Sequence, residues 1–308
     1  MQRSPARTYR RASDLDFALS DLPRVAPPRR VLMTEPTHFQ VEYVINPHMA
    51  GNLGSVDPAL ARAQWERLRS TYAAPGIETH TIPGRPGLPD MVFCANQTLP
   101  VPARPGSADP DAGRPNAILS RMASEHRRPE VDAYEAFFAG EGYLPRDLKV
   151  GQGSFEGMGD AVWHPGRLLL WGGHGFRTDT QVYARLGAAL DLRILTLRLE
   201  DPAFYHLDTC FSVLSERSVL ICPAAFDADG LALIHALFEE VIEAPEDEAR
   251  RLFACNAHCP DGRHVIIQRG ASGTNALLRA AGFEPVEVDT DQFLLAGGSV
   301  FCMKQMFW

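Results

Sequence analysis

Four short segments carry side chains that a purely structural strand seldom holds. AGGSVFCM (296–303) places Cys302 behind two glycines and a serine, and FYHLDTC (204–210) sets His206 and Asp208 two residues apart. SFEGMGD (154–160) puts Glu156 and Asp160 in a glycine-rich bend, and Asp90 and Asn96 bracket the strand-like MVFCAN. A spacing of two brings His206 and Asp208 to one face of an extended chain, while glycine lets backbone approach a ligand closely. Thiol, imidazole and carboxylate make up a kit for covalent catalysis: the thiolate attacks, the imidazole moves a proton, and carboxylates orient or hold charge. Ten histidines and six cysteines offer many such pairs. The residues alone therefore leave Cys302 open to two readings, nucleophile or small buried hydrophobe. Arg177 in GGHGFRTD (172–179) suits a carboxylate through bidentate geometry, and a surface ion pair is its plain alternative.

Other chemistries fit less well. Cys255, His258, Cys259 and His264 lack the paired spacing of zinc sites and fall inside an expected hairpin, so no metal is expected. GGHGFRTD matches neither phosphate-cradling glycine motif, which leaves nucleotide binding unsupported and no organic cofactor expected. A net charge of −8 argues against a general nucleic-acid binder, whose affinity rests on basic surface. No apolar run reaches the length of a membrane span. The cysteines, spread without an apolar leader, fit reduced cytoplasmic thiols.

The elements that must position these groups show as turn-centred apolar pairs. GDAVWHPGRLLLWGG (159–173), DTCFSVLSERSVLICP (208–223) and ACNAHCPDGRHVIIQR (254–269) each read as strand, turn, strand. A loop-expanded version joins MVFCANQTLP (91–100) to AILSRM (117–122), and a fifth is split, GGSVFCMKQMFW closing against RRVLMTEP (29–36). Helix-like stretches lie between them: 57–74, 129–143, 180–192, 229–243 and 272–282. Counted from Asn96, Ala161, Cys210, Asn256 and Ser299, the hairpins recur at 65, 49, 46 and 43 residues. Such a period suggests units arranged around a centre, where polar residues from distant segments meet. One catalytic domain over 29–308 is expected. Residues 1–28, with five arginines and no apolar leader, are expected to form a mostly flexible or surface-hugging arm.

PTHFQVEYVINPHM (36–49), FCAN (93–96), FEGMGD (155–160), GFRTD (175–179), FYHLDTCFSVL (204–214) and AGGSVFCM, in this order, resemble the guanidino-group modifying superfamily, also called the amidinotransferase or pentein family. The resemblance runs from about residue 30 to the end and implies an α/β fold, a five-bladed α/β propeller. It implies Cys302 as nucleophile, His206 as general acid and base, and Glu156 with Asp208 as the carboxylates holding a guanidinium. It also implies Arg177 and Arg121 as partners of the substrate's α-carboxylate, with Asp90 and Asp160 as further polar contacts. Asn96 stands where arginine deiminases carry an aspartate. The opening motif resembles the arginine dihydrolases, which make Asn46 a substrate contact, although His48 replaces their usual tryptophan and Cys94 their usual threonine. Dimethylarginine dimethylaminohydrolases and amidinotransferases are the alternatives. The expected partner is a small guanidino substrate, and a homo-oligomer is compatible with this reading.

Overall fold

The computed structural model describes residues 8–74, 76–104, 107, 109, 111–148 and 153–308. Five small sheets share one plan: an antiparallel hairpin, a helix, then a third strand parallel to the hairpin's second strand. Thr98–Val101 and Asn116–Leu119 pair antiparallel, and Leu144–Arg146 follows helix Val131–Gly140. Ala161–Trp163 pairs with Leu169–His174, and helix Thr180–Leu190 leads to Arg193–Arg198. Phe211–Val213, Ser218–Ile221 and Glu240–Glu243 make the third sheet, around helix Ala228–Leu237. In the fourth, the hairpin is a single bridge from His258 to Ile266, followed by helix Ser272–Ala280 and strand Glu284–Val288. The fifth joins the chain's two ends, Gln305–Phe307 against Arg30–Thr34, with helix Pro58–Ala73 and strand Glu78–Ile82.

Local chemistry sets the element ends. Asp57 caps helix Pro58–Ala73 by accepting from the amides of Ala59 and Leu60, and Pro58 fills the first turn, where its missing N–H costs nothing. Two expectations need correction. The run 229–243 is not one helix: it ends at Leu237, and Glu240–Glu243 is a strand, because the apolar run spans both elements and hides the boundary. Helix Glu246–Leu252 was not expected, since it buries only Ala249 and so carries almost no apolar period.

The expected arm is also more than an appendage. Residues 1–7 lie outside the described residues, but Thr8–Tyr9 add a parallel fourth strand beside Arg193–Arg198. Tyr9 and Leu22 are buried in the main core, and Phe17 meets the Tyr9 ring edge-on at 5.2 Å. Charge counting emphasised the arginines and overlooked these apolar anchors, each of which favours docking by roughly 1.5–3 kcal/mol when buried.

A tight turn precedes every hairpin, and hydrogen bonds pass from turn to turn in a closed circuit. The amide of Ala95 donates to Cys302 O (3.1 Å), and Met158 N donates to Ala95 O (2.8 Å). Leu207 N donates to Asp160 Oδ1 at 3.0 Å, and Asn256 Nδ2 donates to Asp208 O at 2.8 Å. Phe301 N returns to Asn256 O at 3.0 Å. Residues separated by more than two hundred positions are thereby fixed around one small space.

Candidate active site

The turn before each hairpin supplies the polar side chains. Gly157 is required in its turn: its φ is +50°, and a Cβ there would stand 2.5 Å from Thr98 O and 2.7 Å from Asn96 O, closer than any side chain tolerates. Its neighbour Glu156 is wholly buried. Glu156 Oε1 accepts from the amide of Ala123 at 3.0 Å, and Oε2 meets His206 Nε2 at 2.8 Å. Arg177 Nη1 lies 3.3 Å from each oxygen. Burial alone would raise the Glu156 carboxyl, but the His206 hydrogen bond and the Arg177 charge bring it down to about 2. It is therefore a fixed anion that holds the imidazole and already accepts one guanidinium of the chain itself.

Cys302 is held from two sides. Its thiol donates to Asp208 Oδ2 at 3.3 Å, and Asn256 Nδ2 reaches the sulfur at 3.2 Å. Asn256 Oδ1 also accepts from the amides of Phe301 and Cys302 at 3.0 and 3.3 Å, which fixes the turn that carries the sulfur. Burial pushes the thiol up, and neighbouring Asp208 pushes it further in the same direction. Burial likewise raises Asp208 to about 7. Without a cation beside it, this sulfur is a neutral thiol.

A cavity with only about 10 Å³ of free space reaches Cys302 and is lined also by Asn46, Asp90, Asn96, Arg127 and Arg177. Three buried polar atoms of the cluster have no partner: Asp90 Oδ1, Asn96 Nδ2 and Asp208 Oδ1. Buried polar atoms are almost always paired, so these two acceptors and one donor are available to a polar ligand. Asp90 is otherwise held by the Tyr43 hydroxyl, which donates to Oδ2 at 2.9 Å. Asn96 Oδ1 accepts from Arg127 Nη1 at 3.0 Å. Guanidinium only donates, so this bond fixes the amide's orientation and turns Nδ2 away from Arg127.

The other expected residues sort differently. Asn46 lines the cavity, but its Oδ1 accepts from the amides of His48 and Met49 and its Nδ2 donates to Ala296 O at 3.0 Å. Its visible role is to shape the 45–49 loop. Asp160, raised to about 6 by burial, ties two turns together through Leu207 N and leaves Oδ2 without a partner among the described residues; like Glu156, His206 and Asp208, it stands behind the cavity's lining residues. Arg121 is exposed, its backbone pairs with Phe155, and it does not line the cavity. Arg177 Nη2 donates to Ile45 O at 2.7 Å, and its guanidinium lies over the Tyr205 ring at 5.1 Å.

Two residues at the centre were missed. Arg127, 4 % exposed, reaches Glu130 through Nε and Nη2 and Asp90 and Phe93 carbonyls through Nη2. In the sequence it sits in EHRRPE, which reads as a solvated charge run. Asn256 was visible only as a repeat position, and that repeat was the signal that could have promoted it. Among the described residues, no His, Cys, Asp and Glu cluster could hold a metal ion, and no helix is long and apolar enough to cross a membrane.

This geometry can hold a planar cation between carboxylates beside a sulfur and an imidazole, and the comparisons with known proteins agree with it. A family profile described as eukaryotic N,N dimethylarginine dimethylhydrolase matches residues 48–307. The N(G),N(G)-dimethylarginine dimethylaminohydrolase of Mycobacterium tuberculosis is 38% identical over 274 residues, covering 89% of this chain and 84% of that protein. The bifunctional arginine dihydrolase/ornithine cyclodeaminase ArgZ of Synechocystis is 36% identical over 281 residues, covering 89% of this chain but only 37% of that longer protein. The crystal structure of the N-terminal domain of ArgZ, a cysteine-to-serine mutant bound to substrate, superposes with a TM-score of 0.82 at 34% identity, covering 90% of this chain and 97% of that one.

Proposed function

The chain belongs to the dimethylarginine dimethylaminohydrolase family, within the amidinotransferase or pentein superfamily, and on that premise we propose that it is an arginine dihydrolase. It is an enzyme that hydrolyses guanidino C–N bonds through a cysteine nucleophile. In the proposed reaction, arginine and two waters give ornithine, two ammonia molecules and carbon dioxide. The five similar sheets and the closed circuit of turns support a five-bladed arrangement around the site, and we assign the enzyme to the cytoplasm.

The substrate guanidinium lies between Asp90, Asp208 and Glu156, displacing Arg177 from its 3.3 Å contacts with Glu156. Freed Arg177 then takes the α-carboxylate, for which its forked donors are suited. The cation's arrival stabilises the Cys302 thiolate, which burial and Asp208 oppose in the empty site. Cys302 gives its thiol proton to His206 and Sγ attacks the guanidino carbon perpendicular to its plane; His206, held by Glu156, then passes that proton to the departing ammonia. A covalent S-amidino intermediate remains; water, deprotonated by His206, attacks it and releases the ureido product. A second hydrolysis of that product gives ornithine and carbamate, which breaks down to ammonia and carbon dioxide.

One observation carries the choice of dihydrolase: Asn96 presents a buried N–H donor without a partner, oriented by Arg127. A cationic guanidinium offers no acceptor for it, whereas a ureido oxygen does. Gly159 keeps that space open, since a Cβ there would stand 2.2 Å from Asn96 Nδ2 and 3.3 Å from His206 Nδ1. The matching family profile and the mycobacterial relative favour a second reading, dimethylarginine hydrolysis, for which apolar Ile45, Met49 and Phe93 along the cavity would receive the methyl groups.

Purified protein incubated with arginine, dimethylarginine, agmatine and succinylarginine, with products identified by mass, decides between them. Ornithine from arginine is the expected result. Citrulline with dimethylamine from dimethylarginine, and no ornithine from arginine, overturns the dihydrolase reading.

A further inference from the structure

A second and larger cavity, about 110 Å³, is lined by Phe301, Lys304, Met306 and Trp308 of the segment that carries Cys302. Its walls are mostly apolar and aromatic, with Trp163, Trp308, Phe301, Met306 and Val213 among them, and residues Val25–Pro28 close one side. That covering segment is fastened by Trp308 Nε1 donating to Ala26 O and by Val25 N donating to Gly166 O at 3.2 Å.

One group in this wall is out of place. Lys304 is 1 % exposed, and its ammonium stands 3.1 Å from the centroid of the Phe301 ring. Among the described residues no carboxylate lies in ion-pair range of it, and the ionisable groups whose charge reaches it are Asp208, Cys94 and Cys302. A lysine buried to this degree is almost always paired, and a cation over an aromatic face recovers only part of its lost hydration. The other titratable groups in the wall are paired or uncharged. Arg167 bonds Glu216 and the Leu22 carbonyl. His164 has both ring nitrogens engaged, by the Glu216 carbonyl and Trp171 Nε1, and His258 meets the Tyr72 hydroxyl. Burial lowers both histidines and raises the Cys259 thiol, so all three are neutral near pH 7. Among the described residues of this wall, Lys304 is the one cationic side chain without a carboxylate in ion-pair range, since Arg167 is paired with Glu216.

We propose that this cavity binds a small amphipathic monocarboxylate, its apolar body among the tryptophan, methionine and phenylalanine side chains and its carboxylate on the Lys304 ammonium. The size agrees: a dry cavity of ~150 Å³ holds a benzene ring, so 110 Å³ suits a branched aliphatic chain of four or five carbons. Burial brings Lys304 down to about 7, so binding takes up a proton and weakens as pH rises above that value.

The test is calorimetric titration of the full chain with isovalerate and with its neutral isostere isovaleramide, at pH 6 and pH 8.5, with tryptophan emission as a second signal. The acid is expected to bind at least ~10-fold more tightly than the amide at pH 6, the effect of one charge-assisted hydrogen bond, and this advantage shrinks at pH 8.5. Lys304→Met removes the preference for the acid. Val213→Phe keeps the lysine but fills the cavity, and abolishes binding of both compounds. The proposal is overturned if acid and amide bind alike, if Val213→Phe binds as the parent does, if arginine competes with isovalerate, or if no heat is seen at millimolar ligand.

Discussion

Asn96→Asp is the most informative single change. The side chains are nearly isosteric, and aspartate still accepts the Arg127 donor that now bonds Oδ1 at 3.0 Å, so the buried framework is retained. What disappears is the unpartnered Nδ2 donor. A carboxylate there is a better host for the cationic guanidinium but a poor one for a neutral ureido oxygen, which would face a second acceptor. Loss of one buried hydrogen bond of this kind costs roughly 1.5–3 kcal/mol, equivalent to about 10- to 150-fold in rate. The first C–N cleavage is expected to stay within a few-fold of the parent while the second slows by one to two orders of magnitude, so citrulline accumulates. Quenched time courses with arginine, resolved by mass, read both products. An unchanged ornithine-to-citrulline ratio at unchanged thermal stability would refute the role given to the amide.

Three further outcomes follow from particular contacts. Glu156 lies at about 2 rather than its ordinary 4.5, so its ionised form contributes on the order of 3 kcal/mol of stability, present above about pH 4.5 and lost as pH falls toward 2. The Tm difference between the parent and Glu156→Gln should therefore be large at pH 7 and narrow at pH 3, and a constant difference counts against the buried anion. Gly159→Ala places a methyl 2.2 Å from Asn96 Nδ2. It should reduce turnover at least ~10-fold, an effect of misplacement near the chemistry, and parent-like kinetics would show the space to be unused. Tyr9→Ala empties a site in the main core and should cost about 3 kcal/mol in urea unfolding; a change below ~0.5 kcal/mol, the range of surface positions, would return residues 8–28 to a loosely attached arm.

Much of this architecture was legible because hairpins announce themselves by turn residues between apolar runs. The split fifth hairpin could be seen because Cys302 and its following strand needed a partner, which Arg30–Thr34 supplies. Where the chain passes from helix Ala228–Leu237 into strand Glu240–Glu243, apolar residues continue through both, and periodicity cannot mark the boundary. At the site, Cys302 and Glu156 stood out by residue type beside glycine turns, and His206 and Asp208 by their spacing of two; the structure gathers all four. Arg127 did not stand out, since its meaning comes from Glu130, Asp90 and Asn96 converging on it. Asn46 is expected as a substrate contact from the resemblance of its motif, and Asp160 from its place in a glycine-rich bend. In the structure Asn46 engages the amides of His48 and Met49 and the Ala296 carbonyl, and Asp160 Oδ1 engages the Leu207 amide, partners that sequence spacing does not show.

The covalent bond itself offers the most direct trial. Protein mixed with arginine, quenched in acid during turnover and digested, should yield a peptide bearing Cys302 heavier by arginine less ammonia, and Cys302→Ser should show neither adduct nor product. An unmodified sulfur throughout turnover, or a serine variant that still releases product, contradicts the account.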